Sequence, residues 1–142
     1  MTAYDPANIF AKILRGEIPC HKVYEDGDTL AFMDVMPQAK GHALVVPKNP
    51  SRNLLDAAPA DICAVMATAQ KVARAVKRAF DAGGVLIMQF NETPAGQTVF
   101  HFHVHVIPRQ EGVPLTQHSR QMADPAELAE QARMIRDALS SS

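Results

Sequence analysis

Cysteine is scarce in this chain: two residues, Cys20 and Cys63, in 142. That excludes a disulfide framework, and their spacing is not that of a zinc site. A reducing cytoplasm is the expected compartment. Charge of one sign is also missing, since 14 Lys and Arg face 15 Asp and Glu. No electrostatic case for nucleic acid or an acidic membrane surface follows from such a balance. No apolar run approaches transmembrane length. The N-terminus, with Asp5 and Asn8, has no basic region followed by an apolar block, so no signal peptide is expected. Internal repeats, low-complexity tracts and long linkers are absent too. What is left is the composition of one globular domain, 47% hydrophobic and 20% charged, large enough for a proper core.

Local signals divide the chain. Asp5-Pro6 reads as an N-cap with proline at the first helical position, followed by a short helix carrying Ile9, Phe10, Ile13 and Leu14 and stopping at Gly16. Ile18-Pro19 is a turn. Two short strands, 22–25 and 29–33, flank the hairpin signal Asp26-Gly27-Asp28. Asp34 follows at a strand end, where an acidic residue can simply cap a turn. A third strand is expected over 41–47, with His42 at its start. From 59 to 81, Ile62, Val65, Met66, Ala69, Val72, Ala73, Val76 and Phe80 form one apolar stripe at helical spacing, ended by Gly83-Gly84. A fourth strand spans 85–90 and leads into a polar loop over 91–96. Beyond a loop over 112–123, Asp124-Pro125 repeats the capping device, and Leu128, Ala132, Ile135 and Leu139 mark a last helix before a frayed serine tail. Strands joined by short turns, with one long crossover helix, predict an α+β domain with an antiparallel sheet.

The most informative stretch is 96–109. His101, His103 and His105 alternate with aromatic or β-branched spacers, which favours a strand. Side chains alternate faces in a strand, so the three imidazoles share one face while Phe100, Phe102, Val104 and Val106 take the other. On a helix, i and i+2 would diverge by about 200°. Pro108 is expected to end the strand. With six histidines in 142 residues, such an alternate triple arises by chance in roughly one percent of chains of this composition.

Two chemistries suit that face. Neutral imidazoles bind metals, and a catalytic zinc needs three ligands with an open position. No carboxylate or thiol lies near the triad in sequence, although folding could bring one there. Alternatively, an imidazole attacks phosphorus and forms a covalent intermediate while its neighbours hydrogen-bond the non-bridging oxygens. Glycine, amide and hydroxyl at Gly96, Gln97 and Thr98 supply phosphate-type donors next to the triad. They tip the balance to phosphate.

Gly-Gln-Thr-Val-Phe-His-Phe-His-Val-His-Val-Ile-Pro-Arg at 96–109 resembles the signature of the histidine triad (HIT) superfamily, His-φ-His-φ-His-φ-φ with φ apolar. The resemblance extends to Asn8-Ile9-Phe10 through Gly16-Glu17-Ile18-Pro19, to Leu30-Ala31-Phe32-Met33-Asp34, and to Gly41-His42-Ala43-Leu44-Val45-Val46-Pro47-Lys48. It covers about residues 5–110, and is greatest to the bacterial branch near histidine triad nucleotide-binding proteins. The triad loop is also similar to that of the fragile histidine triad branch. A single HIT domain over 1–142 is implied: a five-stranded antiparallel sheet with a long crossover helix and a C-terminal helix.

The resemblance also implies a site. His103 would be the nucleophile, nucleotidylated on the α-phosphate, with His101, His105 and His42 around it to orient its ring and contact phosphate. Gln97 and Thr98 would hold phosphate or leaving-group atoms, Asn91 would order the loop and phosphate, and Asp34 would take the ribose hydroxyls. Phe10, Ile18, Phe32 and Val35 would form the slot for a purine base. No cofactor and no catalytic metal are implied, and family members are homodimers. Some bacterial relatives carry Cys-x-x-Cys near the start of the chain as part of a structural zinc site. Asn8 and Ala11 hold those places here, so that zinc is not expected. The chain also lacks the tryptophan that ends the eukaryotic nucleotide-binding branch, so the part from Glu111 onward does not map. The expected activity is hydrolysis or transfer on nucleoside 5′-phosphoramidates or related adenylates. Alternatives are hydrolysis of dinucleoside polyphosphates, a nucleotide-binding interaction protein with slow turnover, and, more remotely, a three-histidine metalloenzyme.

Overall fold

A computed structural model describes residues 2–116 and 122–141. It contains α1 (Ile9–Leu14), β1 (Lys22–Glu25), β2 (Thr29–Met33), β3 (Ala43–Pro47), α2 (Pro59–Ala79), β4 (Gly84–Met88), β5 (Val104–Arg109) and α3 (Pro125–Ser140). The strands form one sheet in the order β1-β2-β3-β5-β4, and every neighbouring pair is antiparallel. This is the α+β architecture that the strand and helix signals predict. Part of the expected 112–123 loop, and Ser142 of the expected frayed tail, lie outside the described residues. Ser140, also expected in that tail, still belongs to α3.

Local chemistry explains most element boundaries. The β1–β2 turn is closed by Asp26, whose Oδ1 accepts the amides of Asp28 and Thr29, both at 2.8 Å. The N-cap of α1 is Asn8, not Asp5: the Asn8 side chain accepts from the Ala11 amide at 2.9 Å. Asp5 instead closes the preceding turn through the Ala7 amide at 2.8 Å. Asp124 does cap α3, accepting from the Ala126 amide at 3.0 Å. The reversal after α2 also differs from expectation. Asp81, at φ 47°, takes the left-handed position ahead of the glycine pair. The Ala82 amide reaches the Lys77 carbonyl at 2.9 Å and the Asp81 amide the Arg78 carbonyl at 3.3 Å, which is a Schellman closure. Pro108 lies inside β5 and does not end it, because β3 pairs with β5 only as far as Val106. Beyond that point no β3 carbonyl awaits the N–H that proline lacks.

Alternation sorts the sheet into two faces. Ala31, Met33, Ala43, Val45, Val104 and Val106 face one way and pack with Val65, Ala69, Val72, Ala75 and Val76 of α2 and with Leu128, Ala132 and Ile135 of α3. Thr29 joins this face, its hydroxyl paired with that of Thr68 at 2.8 Å, so neither buried oxygen is orphaned. Leu30, Phe32, Leu44 and Val46 face the other way and meet Phe10 of α1. The two long helices therefore cover one face, and the opposite face is left to α1 and the site. Ile135 has no exposed surface, so Ile135→Ala should cost about 2–5 kcal/mol. Denaturant melts would check this; a loss near zero would mean that α3 is not docked as described.

Candidate active site

Strand register places the polar side chains. His105 of β5 pairs with Leu44 of β3 and Met88 of β4, and so shares the face of Leu44. His42 precedes Leu44 by two residues and Asp34 follows Phe32 by two, which carries both to that face. The ladder continues there, with the Asp34 amide donating to the His42 carbonyl at 3.0 Å. Gly41 makes the approach possible. Its φ is 88°, and a Cβ on it would stand 2.5 Å from the Phe80 ring.

The triad itself is not one strand. Only His105 lies inside β5; residues 99–103 have no ladder. The reason is a change of partners. The Phe102 amide donates to the Ser51 carbonyl at 2.9 Å, and the Pro47 carbonyl is taken by the His101 ring at 2.8 Å. Phe102, Val104 and Val106 still enter the core as expected. Phe100 does not: it is half-buried beneath the Arg52 guanidinium, 4.1 Å from the ring centre.

Fixed donors and acceptors assign the ring protons. His103 Nδ1 lies 2.6 Å from the His101 carbonyl, which can only accept. Nδ1 therefore carries the proton and Nε2 the lone pair. Burial pushes the His103 pKa down to about 4, against an opposing pull from that carbonyl and with a small further lowering from His101. The ring is neutral at physiological pH, as a nucleophile must be. His101 is also lowered by burial, partly offset by the Pro47 carbonyl. His42 Nδ1 accepts the Gln38 amide at 3.0 Å, so its Nε2 carries hydrogen. That Nε2–H faces His105 Nδ1 at 2.9 Å, with Asp34 Oδ2 at 3.4 Å. His105 in turn holds its proton on Nε2.

Apolar neighbours divide differently from expectation. Phe10 meets the His103 ring edge-on at 4.9 Å and Phe32 at 5.4 Å, so these two form one wall. Val35 packs against the helix-side core instead. Ile18 is half-buried, in the turn after α1.

The loop before the triad is tied inward. Gln97 is buried, and its Oε1 accepts from the Glu92 amide at 2.8 Å and from Asn53 at 3.1 Å. Its Nε2 donates to the carbonyls of Arg52 at 2.7 Å and Val99 at 3.0 Å. A phosphate contact from this amide requires one of the two Nε2 bonds to open. Asn91 accepts the Leu54 amide at 3.0 Å and exchanges hydrogen bonds with Gln89, thereby ordering the loop. Thr98 is exposed at the rim.

Among the described residues, Asp34, His42 and His105 form a group of metal-ligating types, with ligand atoms within 4.8 Å of one another. The donor set does not fit a cation in this arrangement. A neutral imidazole has one lone pair, and that of His42 is already spent on the Gln38 amide. Ligation through Nε2 would demand an imidazolate. Asn8 and Ala11 offer no ligands either, the first being a helix cap and the second buried. Two surface grooves, of about 600 and 450 Å³, lie elsewhere, lined in part by Lys40, Thr116 and Met134, and contain none of these histidines. Histidine chemistry marks the site better than concavity does.

Several positioning groups carry no sequence signal. Glu92, at φ 74°, holds Arg52 at 2.8 and 3.0 Å and Asn53 at 2.5 Å. Tyr4 reaches His101, 97 positions away, at 2.6 Å. Only folding brings such partners together.

A family model described as HIT domain matches residues 15–112. A solved Hit-like protein from Bartonella henselae, described as involved in cell-cycle regulation, superposes with a TM-score of 0.92 at 52% identity, covering 96% of this chain and 99% of that one. Protein hit of Bacillus subtilis is 42% identical over 71% of this chain and 70% of its own length. Adenylylsulfatase HINT3 of Arabidopsis thaliana is 36% identical over 72% of this chain, a match that spans 52% of that longer protein.

A depressed His103 pKa has a testable consequence. The unfolded chain, with an ordinary histidine near 6.5, binds more protons than the fold as pH falls toward about 4. This group's contribution to stability is thus complete above about 6.5 and lost as pH drops through the window. NMR titration should place the His103 midpoint well below 6.5; a midpoint at the ordinary value would remove the burial argument.

Proposed function

Because the chain belongs to the HIT-domain family, we propose that it is a nucleotide hydrolase or transferase acting on nucleoside 5′-phosphoramidates or related adenylates. The observation that carries this reading is the His103 ring: neutral, its Nδ1–H held by the His101 carbonyl, its Nε2 lone pair free to attack. Nε2 would form a bond to the α-phosphorus as the bond from phosphorus to the leaving amine or anion breaks. The leaving group takes its proton from solvent, while the Nε2–H of His105 donates a hydrogen bond to the phosphoryl oxygen as charge develops there. Water then attacks the nucleotidyl-histidine, releasing the nucleoside monophosphate and restoring the ring. The name of the HINT3 relative, adenylylsulfatase, supports an adenylyl group as the transferred unit.

Asp34 is proposed to accept the ribose hydroxyls, with Phe10 and Phe32 as one wall of a base slot and Ile18 further out. Thr98 is the proposed hydroxyl donor to phosphate, supported by Asn91 and Gln97 through the loop. The spent lone pair of His42 supports a step that needs no metal. No described helix is long and apolar enough to cross a membrane, and both cysteines are free; a cytoplasmic protein fits both facts.

One assay tests the assignments. His103→Ala should lose turnover of an adenosine phosphoramidate by several orders of magnitude and keep most of its nucleotide affinity, because base and ribose are held elsewhere. Asp34→Asn should shrink a ribose-over-deoxyribose preference of about 1–3 kcal/mol. Near-native turnover by the first variant, or inhibition by chelator that zinc reverses, would replace the nucleophile reading with the metal one.

Assembly is a separate expectation. β4 ends the sheet, and it exposes Ile87 while α2 exposes Met66. An open edge flanked by apolar side chains invites pairing with a second copy. Light scattering should give about twice the 15.5 kDa chain mass at micromolar concentration, and a clean monomer would refute a stable homodimer.

A further inference from the structure

The carbonyl that orients His103 belongs to a stretch outside any strand ladder. Something other than sheet pairing must hold it still. One support is the Phe102 amide on the Ser51 carbonyl at 2.9 Å. The other is the His101 side chain, which is clamped from both sides. Its Nε2 faces the Pro47 carbonyl at 2.8 Å, an acceptor only, so Nε2 carries the proton. Nδ1 is then the acceptor, and the Tyr4 hydroxyl donates to it at 2.6 Å. The Tyr4 ring also packs edge-on to the imidazole, with centroids 5.7 Å apart. Tyr4 lies ahead of α1 in a segment with no helix or strand of its own.

We propose that Tyr4 is a positioning residue for the reaction: its hydroxyl locks the His101 imidazole against Pro47 and so fixes the carbonyl that aims the His103 lone pair. This rests on the nucleophile reading of His103. Both ring nitrogens of His101 are engaged in the clamp, so His101 acts as an anchor for the backbone and His105 is left as the hydrogen-bond donor to phosphate. The N-terminal segment thereby becomes part of the catalytic apparatus while touching no substrate. A misplacement of the nucleophile by a fraction of an ångström is enough to slow attack, since reacting atoms must meet in a narrow range of distance and angle.

The test compares full-length wild type with Tyr4→Phe, which removes one oxygen and keeps the ring. Histidine side-chain ¹⁵N spectra of the wild type should show His101 as the Nε2–H tautomer and His103 as the Nδ1–H tautomer. In Tyr4→Phe, a second His101 tautomer should appear, the His103 signals should shift, and kcat on an adenosine phosphoramidate should fall roughly tenfold with KM within about twofold. An Nδ1–H tautomer at His101 in the wild type would overturn the proposal. So would unchanged kcat and unchanged His103 signals in the variant, or a rate loss that merely equals its loss of folded protein. A wild type with no turnover at all would sink the hydrolase reading, and the spectra alone would then decide the clamp.

Discussion

One hydrogen bond, from His103 Nδ1–H to the His101 carbonyl at 2.6 Å, sets what the site can do. A neutral imidazole has a single proton and a single lone pair. Once a carbonyl has claimed the proton side, the lone pair has one place to be. Burial keeps the ring from acquiring a second proton, because a charged imidazole would lose its hydration without gaining a counter-charge. A neutral ring with its lone pair on Nε2 follows from position and burial alone.

The same arithmetic of protons runs through the neighbouring histidines. The Gln38 amide can only donate, so it fixes His42, and His42 fixes His105. The direction of the chain starts at a backbone N–H and ends with a proton on His105 Nε2. It also means that, where a carboxylate and two imidazoles lie close together, the lone pair of His42 is already engaged by the Gln38 amide. A buried polar cluster is specified by which partners cannot reverse their roles, and here those are backbone groups.

The two-faced sheet makes this affordable in structural terms. Helices α2 and α3 seal one face with aliphatic side chains, which supplies stability independent of the site. The other face can then carry buried imidazoles, an irregular stretch at 99–103 and a left-handed Glu92, features that cost stability wherever they occur. Rigidity comes from the loop network of Glu92, Arg52, Asn53 and Gln97, in which each buried donor has an acceptor.

By itself, the order of residues determined the elements and set three histidines at alternate positions. Alternation in 29–33 and 104–106 reports burial on both faces, the stripe of α2 reports its packed side, and Asp26 and Asp124 mark a turn and a cap through bonds to residues two or three away. These are local physics, and a chain carries them wherever it goes. The alternating histidines likewise announced a site, and Asp34 and His42 joined it at the ends of strands that could be read. Alternation did not reveal that 99–103 leaves the ladder, because departure depends on Ser51 and Pro47 competing for backbone and ring groups. Nor did it reveal which nitrogen of each ring holds the proton, or that Tyr4 grips His101 across 97 positions. Proton placement is decided by the partner a ring meets, and the partner is chosen by the fold.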